Sequence, residues 1–296
     1  MRSFTSLSLC FLRHLGILRA RPSPRASLRN FVSVFEKKFK SFVFKFYLKK
    51  KCKIRRKRLD LFYIYLLVLY MLNIAKKMAA NFTVKPTARH TATVIFLHGL
   101  GDNGYGWSEG FSAIKEPHIK YVFPNAPVMP VTLNGGLMMP SWFDLYSLTP
   151  TGKEDEAGIK KAADKLKGLI AEEEKLVPCN RIIIGGFSQG GAVSMYTALT
   201  LDKQLGGLLC LSTWLPLHKT FPKALKWHSS TPVLQCHGEA DPMVPFSFGK
   251  MSSDLIKSLG SSNNEFKTYP GLGHSSNEQE MSDIKEWISG VLPSKD

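Results

Sequence analysis

Hydrophobic positions along the second two thirds of the chain recur with two periods. Thr93-Val-Ile-Phe-Leu97 is a short apolar run that ends in His98-Gly-Leu-Gly-Asp102, and Lys120-Tyr-Val-Phe-Pro124 is a second, closed by proline. Arg181-Ile-Ile-Ile-Gly185, Leu208 to Leu211, Pro232 to Cys236 and Glu265 to Tyr269 follow as further strands. Between them lie helical patterns. Glu154 to Lys175 places Ile159, Ala162, Ala163, Leu166, Leu169 and Ile170 at helical spacing; Gly191 to Leu201, Phe246 to Leu259 and Gln279 to Leu292 read likewise. Such βαβ alternation predicts an α/β fold: a mainly parallel sheet covered by helices on both faces, with its site at the carboxyl ends of the strands. Val131 to Tyr146 is apolar without either period and is expected to be an irregular loop.

Charge divides the chain in two. The net charge of +17 resides in residues 1–77, which carry 20 Lys and Arg against Glu36 and Asp60; the remainder carries 20 against 21 acidic residues. The remainder therefore offers no basic stripe, and nucleic acid is not expected as a partner. Within the first part, Arg2, Arg13, Arg19, Arg21, Arg25 and Arg29 alternate with Ser and Leu as in a transit peptide. A dense basic run, Lys49 to Arg58, follows. The apolar stretch Leu61 to Ile74 is 14 residues long, against about 20 for a membrane span. Three readings stay open: sequence upstream of a working start at Met78, a mitochondrial transit peptide, or a weak membrane anchor. The expected division is a basic extension without predicted fold over residues 1–77 and one catalytic domain over residues 78–296, cytoplasmic if Met78 is the start. Five scattered cysteines show no metal-binding spacing and suit a reducing compartment; no metal or organic cofactor is expected.

Candidate chemistry centres on Gly186-Phe187-Ser188-Gln189-Gly190, placed between an apolar run and an Ala/Leu/Met-rich helix. A serine on a sharp strand-to-helix turn exposes its hydroxyl at the top of the sheet, and the flanking glycines avoid collisions there. By composition this pentapeptide arises by chance in roughly one chain in a hundred of this length, so the strand before it and the helix after it carry the argument. A serine nucleophile needs a histidine to take its proton, and that histidine needs an acid. In chain order after Ser188, Asp241 lies in a Gly/Pro loop just past a strand, whereas Asp202 and Asp254 lie on or beside helices. His274 lies in a glycine loop after the next strand, while His218 and His228 fall in a polar connector and His237 reads as structural. The oxyanion donors are expected to be the backbone N–H groups of Gln189 and of Leu100, in the glycine-rich loop after the first strand. Leu137, Met138, Trp142 and Phe143 are expected to wall an acyl-chain site.

Taken together, Phe96-Leu-His-Gly-Leu-Gly-Asp102, Pro140-Ser-Trp-Phe-Asp144, Gly185-Gly-Phe-Ser-Gln-Gly-Gly191, Trp214-Leu-Pro216, Gln235-Cys-His-Gly238, Asp241-Pro-Met-Val-Pro245 and His274-Ser-Ser276 closely resemble the acyl-protein thioesterases, small lysophospholipases of the α/β-hydrolase superfamily. The resemblance runs from about Val94 to Pro293. It implies Ser188, Asp241 and His274 as triad, Leu100 and Gln189 as oxyanion donors, and palmitoyl groups on protein cysteines as substrate. Lysophospholipids and small esters are the alternative substrates, and transient contact with a membrane surface is implied. A non-catalytic binder on the same fold is a minor alternative, since all three triad residues are present. The Met78-Ala-Ala start lacks the cysteine found in animal members, and Thr213 and Asn277 stand where relatives carry cysteines.

Overall fold

The computed structural model describes residues 81–149 and 152–295, so the readings made for residues 1–77 lie outside the described residues. The described part forms a seven-stranded sheet in the order β1-β3-β2-β6-β7-β8-β9. Its strands are β1 (Phe82–Val84), β2 (Ala92–Leu97), β3 (Ile119–Phe123), β6 (Ile182–Phe187), β7 (Gly207–Leu211), β8 (Val233–Gly238) and β9 (Asn264–Tyr269). Only β1 pairs antiparallel, with β3; every other neighbouring pair is parallel. Central strands β2, β7 and β8 are buried at every position, which is why they read as continuous apolar runs. Edge strand β9 instead exposes Glu265 and Thr268.

Side chains alternate across the sheet and build two cores. Val94 and Phe96 of β2 join Phe111, Tyr121, Phe123, Ile284 and Ile288 on one face. Ile95 and Leu97 join Ile159, Leu166, Ile170, Val193 and Ile256 on the other. The first face is covered by α1 (Gly104–Ser112) and α5 (Glu278–Val291), the second by α2 (Glu156–Glu173), α3 (Gln189–Leu199) and α4 (Phe246–Ser258). Each fully buried Ile, Leu or Phe contributes about 1.5–3 kcal/mol.

Helix α1 was not apparent from hydrophobic spacing because Gly104, Gly106 and Gly110 dilute it. Asn103 starts it, its side chain accepting from the N–H groups of Tyr105 and Gly106. A Cβ on Gly104 would fall 2.4 Å from the Phe123 carbonyl oxygen, so only glycine brings this helix against β3. The loop expected over Val131 to Tyr146 is partly regular: β4 (Val128–Val131) and β5 (Leu137–Pro140) form an antiparallel hairpin. Its turn uses Gly135 and Gly136, both at positive φ. Among the described residues no helix is long and apolar enough to cross a membrane.

Candidate active site

Ser188 sits where β6 turns into α3, at φ 53° and ψ −122°, a conformation that costs a non-glycine residue on the order of 1–3 kcal/mol. Two hydrogen bonds hold it there: its N–H donates to Leu211 O at 2.9 Å, and Thr213 Oγ1 donates to its carbonyl at 2.7 Å. Glycine is obligatory on either side. A Cβ on Gly186 would lie 2.4 Å from Gly190 C, and one on Gly190 2.3 Å from Leu97 O. Although Ser188 caps α3, its hydroxyl accepts no capping hydrogen bond, which leaves it for a base.

The candidate acid and base lie in the next two loops. After β8, Asp241 Oδ1 accepts the N–H groups of Met243 (2.8 Å) and Val244 (2.9 Å), while Oδ2 accepts His274 Nδ1–H at 2.7 Å. Burial pushes the Asp241 pKa up, but the His274 hydrogen bond and the two backbone donors outweigh it, and the net shift is below the ordinary carboxylate value. Asp241 is therefore ionised and can only accept. His274 consequently donates through Nδ1, and Nε2 is the ring nitrogen left outside this bond. The His274 ring packs at a tilt of 44° against Phe187, the residue before the serine, with centroids 4.6 Å apart. Close approach of the two loops requires Gly238, whose absent Cβ would fall 2.2 Å from Leu272 O.

His237 behaves as a structural residue. It is fully buried, its Nε2 donates to Val244 O at 2.9 Å, and burial lowers its pKa so that it stays neutral. His98 plays the same part in the loop after β2. Its Nδ1–H donates to Gly99 O (2.7 Å), its Nε2 accepts Ala126 N–H (3.0 Å), and burial again lowers its pKa. That loop approaches Ser188: a Cβ on Gly99 would lie 3.5 Å from Ser188 Cβ. Gln189 is the first residue of α3, so its N–H has no partner within the helix.

The residues expected to wall an acyl site separate into three environments. Leu137 and Met138 are exposed on β5. Trp142 is buried, its Nε1–H held by His98 O at 2.8 Å and its face covered by Lys165, so it is a core residue and not an exposed wall. Phe143 is also buried, yet it lines an apolar cleft together with Leu145, Leu148, Trp214, Phe248 and Met251. The cleft is partly enclosed and partly open to solvent. Hydrophobic spacing did not reveal it because its wall gathers three distant segments; the half-buried Trp214 just after β7 was the available signal. Its wall is bound to the nucleophile region at two points. Trp214 follows Thr213, whose hydroxyl bonds to Ser188 O, and the Phe143 carbonyl accepts Gln189 Nε2–H at 2.8 Å. Among the described residues no cluster of His, Cys, Asp and Glu could hold a metal ion.

Comparison with known proteins bears on this arrangement. A family model described as Phospholipase/Carboxylesterase matches residues 78–292. Acyl-protein thioesterase 1 of Debaryomyces hansenii is 45% identical over 221 residues, covering 71% of this chain and 94% of the relative. Acyl-protein thioesterase 1 of Candida albicans is 42% identical over 214 residues, covering 68% and 92%. Among solved structures, acyl-protein thioesterase 2 of Zea mays superposes with a TM-score of 0.68 at 33% identity, over 72% of this chain and 99% of that one.

Proposed function

The chain belongs to the phospholipase/carboxylesterase family of α/β-hydrolases, and from that premise we propose that it removes palmitoyl groups from protein cysteines, with Ser188, His274 and Asp241 as its catalytic triad. His274 Nε2 takes the Ser188 proton as Oγ attacks the thioester carbonyl. The oxygen, now negative, rests on the N–H groups of Leu100 and Gln189. Collapse of the tetrahedral intermediate breaks the carbon–sulfur bond, and the cysteine thiolate takes the proton from His274. Water then adds to the acyl-Ser188 carbonyl with His274 again as base, releasing the fatty acid and restoring the serine. Each oxyanion donor is worth about 3 kcal/mol of barrier.

The observation that carries the substrate assignment is the apolar cleft that begins at Trp214, beside the residue that holds the Ser188 carbonyl. It suits the alkyl chain of an S-acylated protein. The exposed Leu133, Leu137 and Met138 around the β4–β5 hairpin support transient contact with the membrane surface where such proteins reside. No step calls on a metal or organic cofactor. The test is hydrolysis of an S-palmitoyl peptide against lysophosphatidylcholine by the full chain, with Ser188→Ala as the blank. Preference for the thioester with an inactive variant supports the assignment. Preference for the lysophospholipid moves the activity to lipid hydrolysis at the same triad, and activity surviving in Ser188→Ala overturns the mechanism.

A further inference from the structure

We infer that the side chain of Gln189 and the indole of Trp142 form a brace that sets the separation of the two oxyanion donors, an inference that rests on the serine-hydrolase reading above. Sheet pairing alone does not set it. The register of β2 against β6 ends at Leu97 opposite Gly186, three residues short of Leu100 on one strand and of Gln189 on the other. Beyond that point the two donors belong to separate turns.

One segment joins them. The Gln189 amide is almost wholly buried, at 1% exposure, and its polar atoms all face Ser141–Phe143. Its Oε1 accepts Trp142 N–H at 3.0 Å, and its Nε2 donates to Phe143 O at 2.8 Å and to Ser141 Oγ at 3.0 Å. Ser141 Oγ donates in turn to Phe143 O at 2.6 Å. From the same segment Trp142 Nε1–H reaches His98 O at 2.8 Å, and Pro140 O accepts Gly101 N–H at 2.8 Å. The Leu100 loop is thus held on both sides of its donor by the segment that Gln189 grips. The amide is suited to this because it accepts and donates at once; an apolar side chain of equal volume would fill the space and grip nothing.

Gln189 therefore has two separate parts to play: its backbone N–H as a donor to the oxyanion, and its side chain as a positioning group acting through Trp142 and His98. Because a hydrogen-bonded oxyanion exists only after attack, loosening the brace weakens the transition state and leaves substrate binding alone.

The experiment uses the full chain, an S-palmitoyl peptide as substrate and a long-chain trifluoromethyl ketone as probe. The ketone forms an Oγ–C bond with Ser188, its carbonyl electron pair moving to oxygen and the serine proton to His274, so its affinity reads the donors directly. For Gln189→Met we expect kcat to fall 10- to 100-fold, KM to stay within twofold, and the ketone inhibition constant to rise in step with the loss in kcat/KM. Trp142→Phe, which keeps an aromatic ring at the site but removes Nε1–H and part of the indole, should lose kcat in the same sense, and the double variant should be no worse than the poorer single one. Unchanged kcat in Trp142→Phe, or a rise in KM with ketone affinity intact, overturns the brace; Trp142→Phe also preserves the test should Gln189→Met fail to fold. A wild-type chain that leaves the peptide intact, or an active Ser188→Ala, would instead sink the hydrolase reading.

Discussion

His237 Nε2 and Asp241 Oδ2 lie 3.7 Å apart with both side chains buried, and they share no proton. His237 donates to the Val244 carbonyl, and the Val244 N–H returns to Asp241 Oδ1. A buried neutral imidazole thus shapes the acid loop through the backbone, and His274 is the imidazole hydrogen-bonded to the carboxylate itself. It follows that neither His237 nor Asp241 should add an ionisation of its own to kcat/KM near neutral pH. Asp241 titrates below its ordinary range because its three hydrogen-bond donors outweigh its burial, and burial keeps His237 neutral. In a pH–rate profile for ester hydrolysis neither group should therefore steepen the acid limb; a slope of two there would place one of them in the mechanism.

Asp241→Asn keeps the shape of the loop and removes the charge that orients His274 and stabilises its protonated form. We expect kcat to drop by roughly 10⁴ with KM nearly unchanged. The sign of the stability effect follows from the depressed pKa. The ionised carboxylate stabilises the fold above its unfolded value of about 3.9, and that stabilisation is lost as pH falls through the lower folded value. The gap in melting temperature between wild type and variant should therefore close below about pH 4, and a gap that widens in acid would refute this.

Gly238→Ala tests whether the acid and base loops must touch. The new methyl would sit 2.2 Å from Leu272 O, a backbone atom two residues before His274, so the loop has to move. A loss of about 1–3 kcal/mol in stability is expected, together with a fall in kcat as His274 is displaced. Unaltered kcat would show that the loop tolerates the shift.

Much of this was legible in the chain because fully buried parallel strands are continuous apolar runs, and because a serine elbow needs glycines at fixed offsets. Asp241 and His274 could be chosen over other acids and histidines by their place after consecutive strands. The hairpin was not legible: Pro130 and Pro140 stand inside its strands, where proline argues against pairing, and its apolar residues do not alternate. Nor was the double use of Gln189, since the segment it grips lies 46 to 48 residues earlier in the chain. The burial of Trp142 and Phe143 was not legible either, because their segment has neither period and the partners that cover them lie far away in the chain.

Glu280 gives the fold a second pH dependence. It is buried at the start of α5, neither carboxylate oxygen has a hydrogen-bond partner among the described residues, and burial with the nearby Asp283 charge pushes its pKa up to about 8. A raised carboxyl pKa means that above about pH 4.5 the unfolded chain releases a proton the folded chain retains. Stability should therefore decline from pH 4.5 to 8 by on the order of 4 kcal/mol, then level off. Glu280→Gln, which mimics the neutral acid, should flatten that slope and melt higher than wild type at pH 8 to 9. A wild-type melting temperature that is constant from pH 5 to 8 would contradict the burial argument.

With the acyl chain in the cleft beside Trp214, as proposed, acyl-length preference becomes a matter of space. Met251 and Phe248 extend into it from α4, and Met251 is 55% exposed, so a larger side chain can be introduced without disturbing the core. Met251→Trp should exclude several methylene groups of a bound chain. Each excluded group forfeits about 0.8 kcal/mol, roughly a fourfold loss in kcat/KM. Hydrolysis of a palmitoyl thioester should then fall by one to two orders of magnitude while a butyryl ester is cleaved at the wild-type rate, because the triad and both proposed donors lie outside the altered wall. The measurement is kcat/KM against chain length from four to sixteen carbons. An equal loss at every length would mean the substitution acts on the machinery, and no loss at any length would place the acyl chain elsewhere.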